Sequence, residues 1–385
     1  MPVFNGNVKS KLPKAGTTIF AIMSGLANET GAINLSQGFP GFPVSDEIIS
    51  LYHSAMKAGH NQYAPMPGLM SLRERISEKM EKAYSCKYNP DTEITITAGG
   101  TQALYTAITA LIHEGDEVIV LEPAYDSYVP AIELAGGVPV HVHLRPPGYE
   151  IPWEEIKKLI TQRTRMIMIN TPQNPTGTIL TAKDMLQLEK ITEGTDIVIL
   201  SDEVYEHIIF DGYEHQSVAR YPKLAERSLI VYSFGKTFHA TGWKTGYCVG
   251  PASLMKEFRK AHQFIVFSVN TPLQHALAEY IRNEANYNAL PQFYQEKRDY
   301  FRKLITGSRF KLLPCLGSYF QLLDYSAITD EKDTEYAIRL TKENQVASIP
   351  VSVFYNVPQD FKLLRFCFAK ENEMLEKAAE LLHKV

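Results

Sequence analysis

A lysine in an unusual position offers the clearest chemistry in this sequence. Lys236 lies in Ser233-Phe234-Gly235-Lys236, directly after the apolar run Leu229–Tyr232, which predicts a short buried strand. Lysine is rarely buried without a partner, and burial lowers the pKa of its amine and makes the amine a nucleophile. Such an amine can form a Schiff base with a carbonyl group. On this segment alone, a surface loop that carries Lys236 and Lys244 explains the pattern equally well.

Glycines follow another predicted strand, Ile94–Thr97. The sequence Ala98-Gly99-Gly100-Thr101-Gln102 leads into a helix predicted over Thr101–Ile112. Glycines let backbone N–H groups approach an anion, and a helix N-terminus adds the positive end of its dipole. The pattern indicates a phosphate site, although it is neither the GxGxxG dinucleotide fingerprint nor a Walker loop. The alternative is that the glycines only form a turn.

Two further predicted strands end in residues that could contact a flat ring. Tyr125 follows Val118–Leu121 and offers an aromatic face, although a half-buried tyrosine that covers the end of the sheet is the simpler explanation. Asn174 follows Met166–Ile169, in a loop whose two X–Pro bonds and one glycine restrict the backbone. A rigid loop costs less to order around a ligand, which favours a binding role for the Asn174 amide over a simple turn.

A carboxylate follows the apolar strand predicted at Ile197–Leu200. Asp202 needs a positive partner there, because a carboxylate at the end of an apolar strand otherwise carries a desolvation penalty. A protonated pyridine nitrogen is such a partner, and Tyr205, three residues later, could reach an oxygen on the same ring. The alternative role for Asp202 is that of a helix N-cap.

The five strand ends define one ligand when they are taken together. Open parallel sheets bind ligands beyond the carboxyl ends of their strands, so these residues are expected to meet at one edge. They supply phosphate donors (including Ser233 and Lys244), a stacking ring, an amide, a carboxylate and the Lys236 amine. The matching ligand has a phosphate, a flat ring, a basic ring nitrogen and an aldehyde, as pyridoxal 5'-phosphate (PLP) does.

The elements that must position these residues alternate as βα units do. Their strands are apolar on both faces, which is typical of the central strands of a parallel sheet covered by helices. After Pro291 the pattern changes to a charged helix, short strands and a final helix, which predicts a smaller α+β domain. We expect residues 45–288 to form a large ligand-binding domain. Residues 1–44 are expected to join the smaller domain, whose C-terminal part is residues 289–385.

The composition excludes several classes of function. The chain has 385 residues, of which 45% are hydrophobic and 21% are charged, as in ordinary globular proteins. Its net charge of −4 gives no electrostatic reason to expect a nucleic acid or an anionic membrane as partner. The four cysteines have no metal-ligand spacing, so no metal is expected. Neither a signal peptide nor a membrane span is predicted, which leaves the cytoplasm as the expected location.

The sequence resembles the class I aminotransferases, which are PLP-dependent enzymes of fold type I. The resemblance covers essentially the whole chain, and it is closest to the bacterial methionine aminotransferases and the related kynurenine and glutamine transaminases. The motifs that carry it are Asn34-Leu35-Ser36-Gln37-Gly38-Phe39-Pro40, Asn61-Gln62-Tyr63, Tyr125-Asp126-Ser127-Tyr128, Ser201-Asp202-Glu203-Val204-Tyr205 and Ser233-Phe234-Gly235-Lys236-Thr237-Phe238. It implies an α/β fold with a mostly parallel seven-stranded sheet between helices and a smaller α+β domain.

The resemblance also implies a role for each site residue. Lys236 would form the Schiff base with PLP, Asp202 would pair with the ring nitrogen, and Tyr125 would stack on the ring. Tyr205 and Asn174 would bond the ring oxygen. The residues around the phosphate would be Gly100, Thr101, Gln102, Ser233 and Lys244, with Tyr63 reaching in from the second subunit of a homodimer. Many class I members have arginine in place of Lys244, so two-pronged phosphate contact is weakened here.

The resemblance further implies that Arg365 holds the substrate carboxylate. An arginine inside the apolar run Lys362–Phe368 needs an anion, and its planar fork matches a carboxylate; the alternative is a buried structural ion pair. Asn174 and the backbone of Gly38 would complete this pocket, and Phe39 would form part of an apolar wall. The implied activity is ping-pong transfer of the amino group of methionine or an aromatic amino acid to a 2-oxo acid.

Two other functions compete with this interpretation. A β-lyase that cleaves cysteine conjugates or cystathionine would use the same cofactor residues, so the motifs do not separate it from a transaminase. A PLP-binding transcription regulator would carry an added DNA-binding domain, for which the aminotransferase pattern leaves no room. The sequence does not rank methionine, phenylalanine, tyrosine, kynurenine and glutamine as amino donors.

Overall fold

A computed structural model describes residues 2–385 of the chain. Its strands are β1 (Ile33–Asn34), β2 (Ile94–Thr97), β3 (Glu117–Glu122), β4 (Val138–His143), β5 (Thr164–Asn170), β6 (Val198–Asp202), β7 (Ser228–Ser233), β8 (Gly246–Val249), β9 (Lys311–Leu312), β10 (Phe320–Asp324), β11 (Val346–Ala347), β12 (Ile349–Pro350) and β13 (Leu363–Cys367).

Helices precede, separate and follow these strands. They are α1 (Ile19–Thr30), α2 (Asp46–Lys57), α3 (Met70–Tyr84), α4 (Gly100–Leu111), α5 (Tyr128–Leu134), α6 (Trp153–Leu159), α7 (Ala182–Thr192), α8 (Pro222–Ala225), α9 (Phe234–Thr237), α10 (Ala252–Ile265), α11 (Thr271–Tyr280), α12 (Ala285–Asn288), α13 (Leu290–Ile305), α14 (Asp333–Asn344) and α15 (Asn372–Leu382). Within residues 2–385, none of them has the length and apolar character that a membrane span requires.

The large sheet has seven strands in the order β2-β8-β7-β6-β5-β3-β4. All are parallel except β8, which runs antiparallel to β2 and β7. The five predicted strands are all present, and the sequence interpretation missed β4 and β8. Every residue of β2 and β3 is buried, because helices cover both faces. Asp202 pairs in register with Asn170, and Ser233 pairs with Gly246, so the polar strand ends lie along one edge.

A smaller antiparallel sheet has the order β12-β13-β10-β9. Arg365 lies in its second strand, opposite Leu322 on one side and Ile349 on the other. The N-terminal strand β1 pairs in parallel with β11, so residues 33–34 contact the C-terminal part of the chain. Because Arg365 is enclosed by strands on both sides, its direction is fixed by the sheet.

Candidate active site

A cavity of about 240 Å³ opens at the edge of the large sheet where the polar strand ends meet. It is lined by residues of the large sheet's strand ends, by the segment before Pro40 and by β10 and β13. The predicted site residues that line it are Gly38, Phe39, Gly100, Thr101, Tyr125, Asn174, Asp202, Tyr205, Ser233, Lys236, Lys244 and Arg365. The structure therefore brings residues from 38 to 365 of the sequence into one cavity.

Lys236 lies in the short helix α9, directly after β7, and its side chain is half-buried. Its Nζ donates a hydrogen bond to the Gly38 carbonyl at 3.0 Å. Burial, together with the positive charges of Arg365 and Lys244, lowers the pKa of the Lys236 amine from its ordinary 10.5 to about 8. About a tenth of the amine is therefore neutral at pH 7, far more than for an ordinary lysine, and this neutral form is a nucleophile and a base.

Asp202 ends β6 and is 5% exposed. Burial raises the pKa of its carboxyl from 3.8 to about 6, and Tyr128 Oη donates a hydrogen bond to Oδ2 at 2.6 Å. A cationic group in the cavity would hold this carboxylate ionised. Tyr205 is buried nearby, and burial raises the pKa of its hydroxyl, so it is a neutral hydrogen-bond donor at physiological pH.

The N-terminus of α4 is a site for an anion. Gly99 precedes the helix with a φ of +85°, and no side chain caps the first turn. The first N–H groups of α4 therefore stay available for a ligand. A Cβ on Gly99 would lie 3.5 Å from Lys244 Nζ, so the ammonium is close to the same turn. Ser233 and Thr101 contribute hydroxyls to the cavity.

Arg365 is fully buried in β13. Its guanidinium lies 4.0 Å from the centre of the Phe320 ring, Nη1 donates to Asn174 Oδ1 at 2.6 Å, and Nη2 donates to the Ser36 carbonyl at 2.9 Å. Among the described residues 2–385, none is a hydrogen-bond partner of Nε. Burial lowers the pKa of Arg365 to about 10. Within residues 2–385 it forms no salt bridge, so the structural ion pair considered above is absent from the described chain.

Gly38 lies between the two cations. Its carbonyl accepts hydrogen bonds from Lys236 Nζ and from Tyr319 Oη, the latter at 2.7 Å. A Cβ at this position would lie 3.0 Å from Cζ of Phe320 and 3.9 Å from Nη2 of Arg365. The lack of a side chain at Gly38 therefore leaves the space beside the guanidinium open.

Two predicted residues do not line the cavity. Gln102 Oε1 accepts a hydrogen bond from the Ala98 amide at 2.8 Å, and its amide nitrogen contacts Thr106 and His262, so its side chain is occupied by protein groups outside the cavity. Tyr63 is 80% exposed and packs edge-on against Phe267. The Tyr63 side chain therefore lies on the surface of the chain and outside its own cavity.

Sequence reasoning missed three aromatic residues that shape the site. Tyr128 bonds Asp202, Tyr319 bonds Gly38, and Phe320 stacks on Arg365. In the sequence, Tyr319 and Phe320 stand at the start of an apolar strand, a pattern that predicts only buried core residues. Tyr128 lies in the motif Tyr125-Asp126-Ser127-Tyr128. Because the Asp202 carboxylate needs a hydrogen-bond partner, this nearby hydroxyl could have been predicted to contact it.

Comparison with known proteins identifies the family. Residues 30–382 match the family described as aminotransferase class I and II. The chain belongs to this family. The methionine aminotransferase of Escherichia coli K12 is 49% identical over 378 residues, covering 98% of both chains. Human kynurenine–oxoglutarate transaminase 1 is 34% identical over 394 residues, covering 93% of both chains.

Solved structures of aminotransferases agree with this assignment. An E. coli protein reported with a methionine aminotransferase function superposes with a TM-score of 0.96 at 48% identity, covering 100% of both chains. N-Succinyldiaminopimelate aminotransferase of Mycobacterium tuberculosis gives 0.94 at 35% identity, covering 98% of this chain and 100% of that one. The chain is a PLP-dependent aminotransferase of fold type I, which confirms the predicted fold class, enzyme class and cofactor. These comparisons do not favour the β-lyase alternative.

The residues of the cavity fit PLP by their chemistry. An uncapped helix N-terminus beside Lys244 matches the phosphate, a buried carboxylate at Asp202 matches a protonated ring nitrogen, and the Lys236 amine matches the aldehyde. The unpartnered Nε of Arg365 remains for a second anion, as an amino acid carboxylate would be. Aminotransferases act on amino acids and 2-oxo acids, which carry that group.

Proposed function

We propose that this aminotransferase transfers the amino group of methionine or an aromatic amino acid to a 2-oxo acid by a ping-pong reaction. The observation that carries the proposal is that Lys236 and Arg365 both contact the segment Ser36–Phe39. The Lys236 amine bonds the Gly38 carbonyl, and Arg365 bonds the Ser36 carbonyl. A reacting amine and a carboxylate anchor are thereby held on one wall of the cavity.

We propose specific roles for the residues that would hold PLP. Asp202 would face the ring nitrogen, Tyr125 the ring, and Tyr205 and Asn174 the ring oxygen. Residues around the N-terminus of α4 would hold the phosphate, namely Gly100, Thr101, Gln102 through its backbone, Ser233 and Lys244. When bound, PLP supplies an electron sink for the electron pair left by the departing Cα proton. The Asp202 carboxylate supports that function by keeping the ring nitrogen protonated.

Lys236 would move the proton. Its Nζ, with a pKa lowered to about 8, can accept the Cα proton of the amino acid and return a proton during the second half of the reaction. The hydrogen bond to Gly38 holds this nitrogen beside the carboxylate anchor. A lysine with an ordinary pKa of 10.5 would be almost fully protonated at pH 7 and would be a poor base.

Arg365 would bind the substrate carboxylate. Its free Nε, together with Nη atoms that now bond Asn174 and Ser36, offers the donors that a carboxylate needs. The Asn174 oxygen is bonded to Arg365, which leaves the Asn174 NH₂ as a donor for the ring oxygen. The open space at Gly38 would admit the carboxylate, and Phe39 would contact the apolar side chain of the donor.

We propose a homodimer with shared active sites, in which Tyr63 contacts the cofactor of the partner. Support comes from an exposed aromatic pair at Tyr63. Tyr63 is 80% exposed, and Phe267, whose ring packs against it, is 49% exposed, which is unusual for large aromatic side chains. The four cysteines are free thiols, which agrees with the proposed location in the reducing cytoplasm.

A panel of amino donors with one fixed 2-oxo acid tests the substrate proposal. We expect kcat/KM for methionine or an aromatic amino acid to exceed that for aspartate by about a hundredfold, because a second carboxylate has no cation in an apolar pocket. A preference for aspartate would contradict the proposed substrate class. Release of pyruvate and a thiol from a cysteine conjugate as the faster reaction, without any amino acceptor, would overturn the transaminase proposal in favour of a β-lyase.

A further inference from the structure

Lys370 is a buried lysine to which the reaction assigns no role. It is 4% exposed, and in the part of the chain that the structure describes it forms no salt bridge. Its Nζ donates a hydrogen bond to the Phe39 carbonyl at 3.0 Å and lies 4.6 Å from the centre of the Phe39 ring. Burial of an ammonium group without a carboxylate is costly, so these contacts with Phe39 require an explanation.

Three cationic side chains bind the segment Ser36–Phe39, which we name the carbonyl segment. The pairs are Ser36 O with Arg365 Nη2 at 2.9 Å, Gly38 O with Lys236 Nζ at 3.0 Å, and Phe39 O with Lys370 Nζ at 3.0 Å. Under the proposed function, Lys236 must leave its carbonyl to react, and Arg365 must share its donors with a substrate carboxylate. Lys370 takes part in neither step, so it is the cation that stays on the segment throughout turnover.

The surroundings of Phe39 show why it needs this anchor. Phe39 lines the cavity, yet it is 43% exposed, so packing alone holds its ring weakly. The Lys370 stem also fits closely against the loop, since a Cβ on Gly41 would lie 3.2 Å from Lys370 Cδ. The Gly41 amide donates to the Ala369 carbonyl at 2.8 Å, directly beside Lys370. The lysine therefore fixes both the backbone and the ring of Phe39.

We propose that Lys370 is a positioning residue that holds Phe39 as a wall of the substrate pocket and so sets the preference for amino donors with large apolar side chains. This inference rests on the proposed function. Because this wall contacts only the side chain of the amino donor, its loss should weaken the binding of donors with large side chains. It leaves the proton transfer at Lys236 and the binding of a small donor such as alanine unchanged.

Lys370→Met tests the proposal, because methionine keeps the length of the stem and removes the charge. We expect KM for phenylalanine and methionine to rise about tenfold. This factor corresponds to the lower end of the free energy that a hydrogen bond to a charged group contributes. KM for alanine and kcat for all three donors should stay within about twofold of the parent. Lys370→Arg, which keeps a cationic donor, should restore most of the preference.

The matched control is Lys297→Met. Lys297 also places its Nζ over an aromatic ring, at 4.9 Å from the centre of Phe42, but it bonds Asn372 and no carbonyl of the segment. It should leave the ratio of KM values unchanged. Phe39→Ala should reproduce the selective change, and adding it to Lys370→Met should produce little further change, since both act through one contact.

Hydrogen exchange of the cofactor-free protein gives a readout that does not depend on activity. In Lys370→Met, amides over residues 39–42 should exchange faster, while the large sheet exchanges as in the parent, which also shows that the variant is folded. An equal rise of KM for alanine, or unchanged exchange together with unchanged KM values, would overturn the inference. Absence of transaminase activity in the parent protein would instead overturn the proposed function, and the exchange result would then still decide whether Lys370 anchors the segment.

Discussion

Burial in the same cavity has different consequences for the two cationic side chains Lys236 and Arg365. Burial lowers the pKa of both, but Arg365 at about 10 stays charged, whereas Lys236 at about 8 can lose its proton. The arginine therefore suits an anchor for an anion, and the lysine suits a nucleophile and base. Both residues could be predicted from the sequence, because each is a cationic residue in or directly after an apolar run that predicts a buried strand.

Other residues of the site could not be predicted because their role depends on three-dimensional contacts. Tyr128, at the start of α5, bonds Asp202 at the end of β6, and Phe320 stacks on Arg365 from the neighbouring strand. Neither relation has a fixed spacing in the sequence. The side chain of Gln102 illustrates the opposite case, since a polar residue at the start of α4 looked free for a ligand but bonds the Ala98 amide.

Replacing Arg365 with alanine should weaken substrate binding selectively. We expect KM for amino acids to rise about a hundredfold, because removing one partner of a buried charged pair costs roughly 2–5 kcal/mol. PLP should stay bound, as its proposed contacts lie on the large sheet. Steady-state kinetics and the visible spectrum of the variant check both statements; an unchanged KM would remove Arg365 from the proposed site.

The pH dependence of Lys236 follows from its environment. Since burial lowers its pKa from 10.5 to about 8, the neutral amine is lost as the pH falls below about 8. In cofactor-free protein, the rate of Lys236 modification by an amine reagent, followed by peptide mass spectrometry, should rise with a midpoint near pH 8. Exposed lysines in the same sample are the internal control. A Lys236 midpoint near 10.5 would show that its amine is not desolvated.

At the scale of elements, the sequence predicted five strands of the large sheet and missed β4, which is partly exposed, and β8, which is buried but short. β4 is an edge strand that contains a proline and alternates apolar residues with histidines, and β8 has four residues that begin with a glycine. Short or mixed patterns of this kind resemble loops. The charged helix predicted after Pro291 is α13, which begins already at Leu290 because Pro291 is accommodated in its first turn.

The helix α3 is tied to the loop after β6 by a buried ion pair. Lys79 bonds Glu206, which also accepts from Tyr84, and the neighbouring charges hold the pKa of Glu206 well below its usual range. Glu206 directly follows Tyr205, which lines the cavity. The Lys79–Glu206 ion pair therefore helps to hold the backbone of Tyr205 in place. A carboxylate with a lowered pKa stabilises the fold above its unfolded pKa, and the contribution is lost as the pH falls toward the folded value.

Lys79→Met should therefore lower the free energy of unfolding by roughly 3–5 kcal/mol at pH 7, since it leaves a buried carboxylate without its partner. Lys82→Met is the matched control on the same helix. Lys82 pairs with Glu284 at the surface, where solvent screens the charges, so its loss should change the free energy of unfolding far less than the loss of Lys79. Urea unfolding of the cofactor-free variants gives both values. Equal effects for the two lysines would contradict the account of the buried pair.

At the scale of the whole molecule, the division into residues 45–288 and the two flanking segments stays a prediction. The pairing of β1 with β11 and the lining of the cavity by both Gly38 and Arg365 are consistent with it. A single sequence carries no direct signal for quaternary structure, and the proposed dimer rests on exposed aromatic residues around Tyr63.

Subunit complementation tests the shared sites. Lys236→Ala and Tyr63→Ala each damage both sites of their own homodimer. A mixed dimer should regain one intact site, in which Lys236 comes from one subunit and Tyr63 from the other. Mixing the two variants after mild dissociation should raise activity above the sum of the separate samples, and size determination should give a dimer. No gain in a mixture shown to contain mixed dimers would contradict the proposed role of Tyr63.

The central claim is that Lys236 is the residue that binds the PLP aldehyde. Borohydride reduction of the holoenzyme, followed by peptide mass spectrometry, tests it most directly. The account predicts that the reduced cofactor is attached to the peptide containing Lys236, and that Lys236→Ala yields no labelled peptide and no transaminase activity. Attachment to another lysine such as Lys244, or an active and unlabelled parent enzyme, would contradict it.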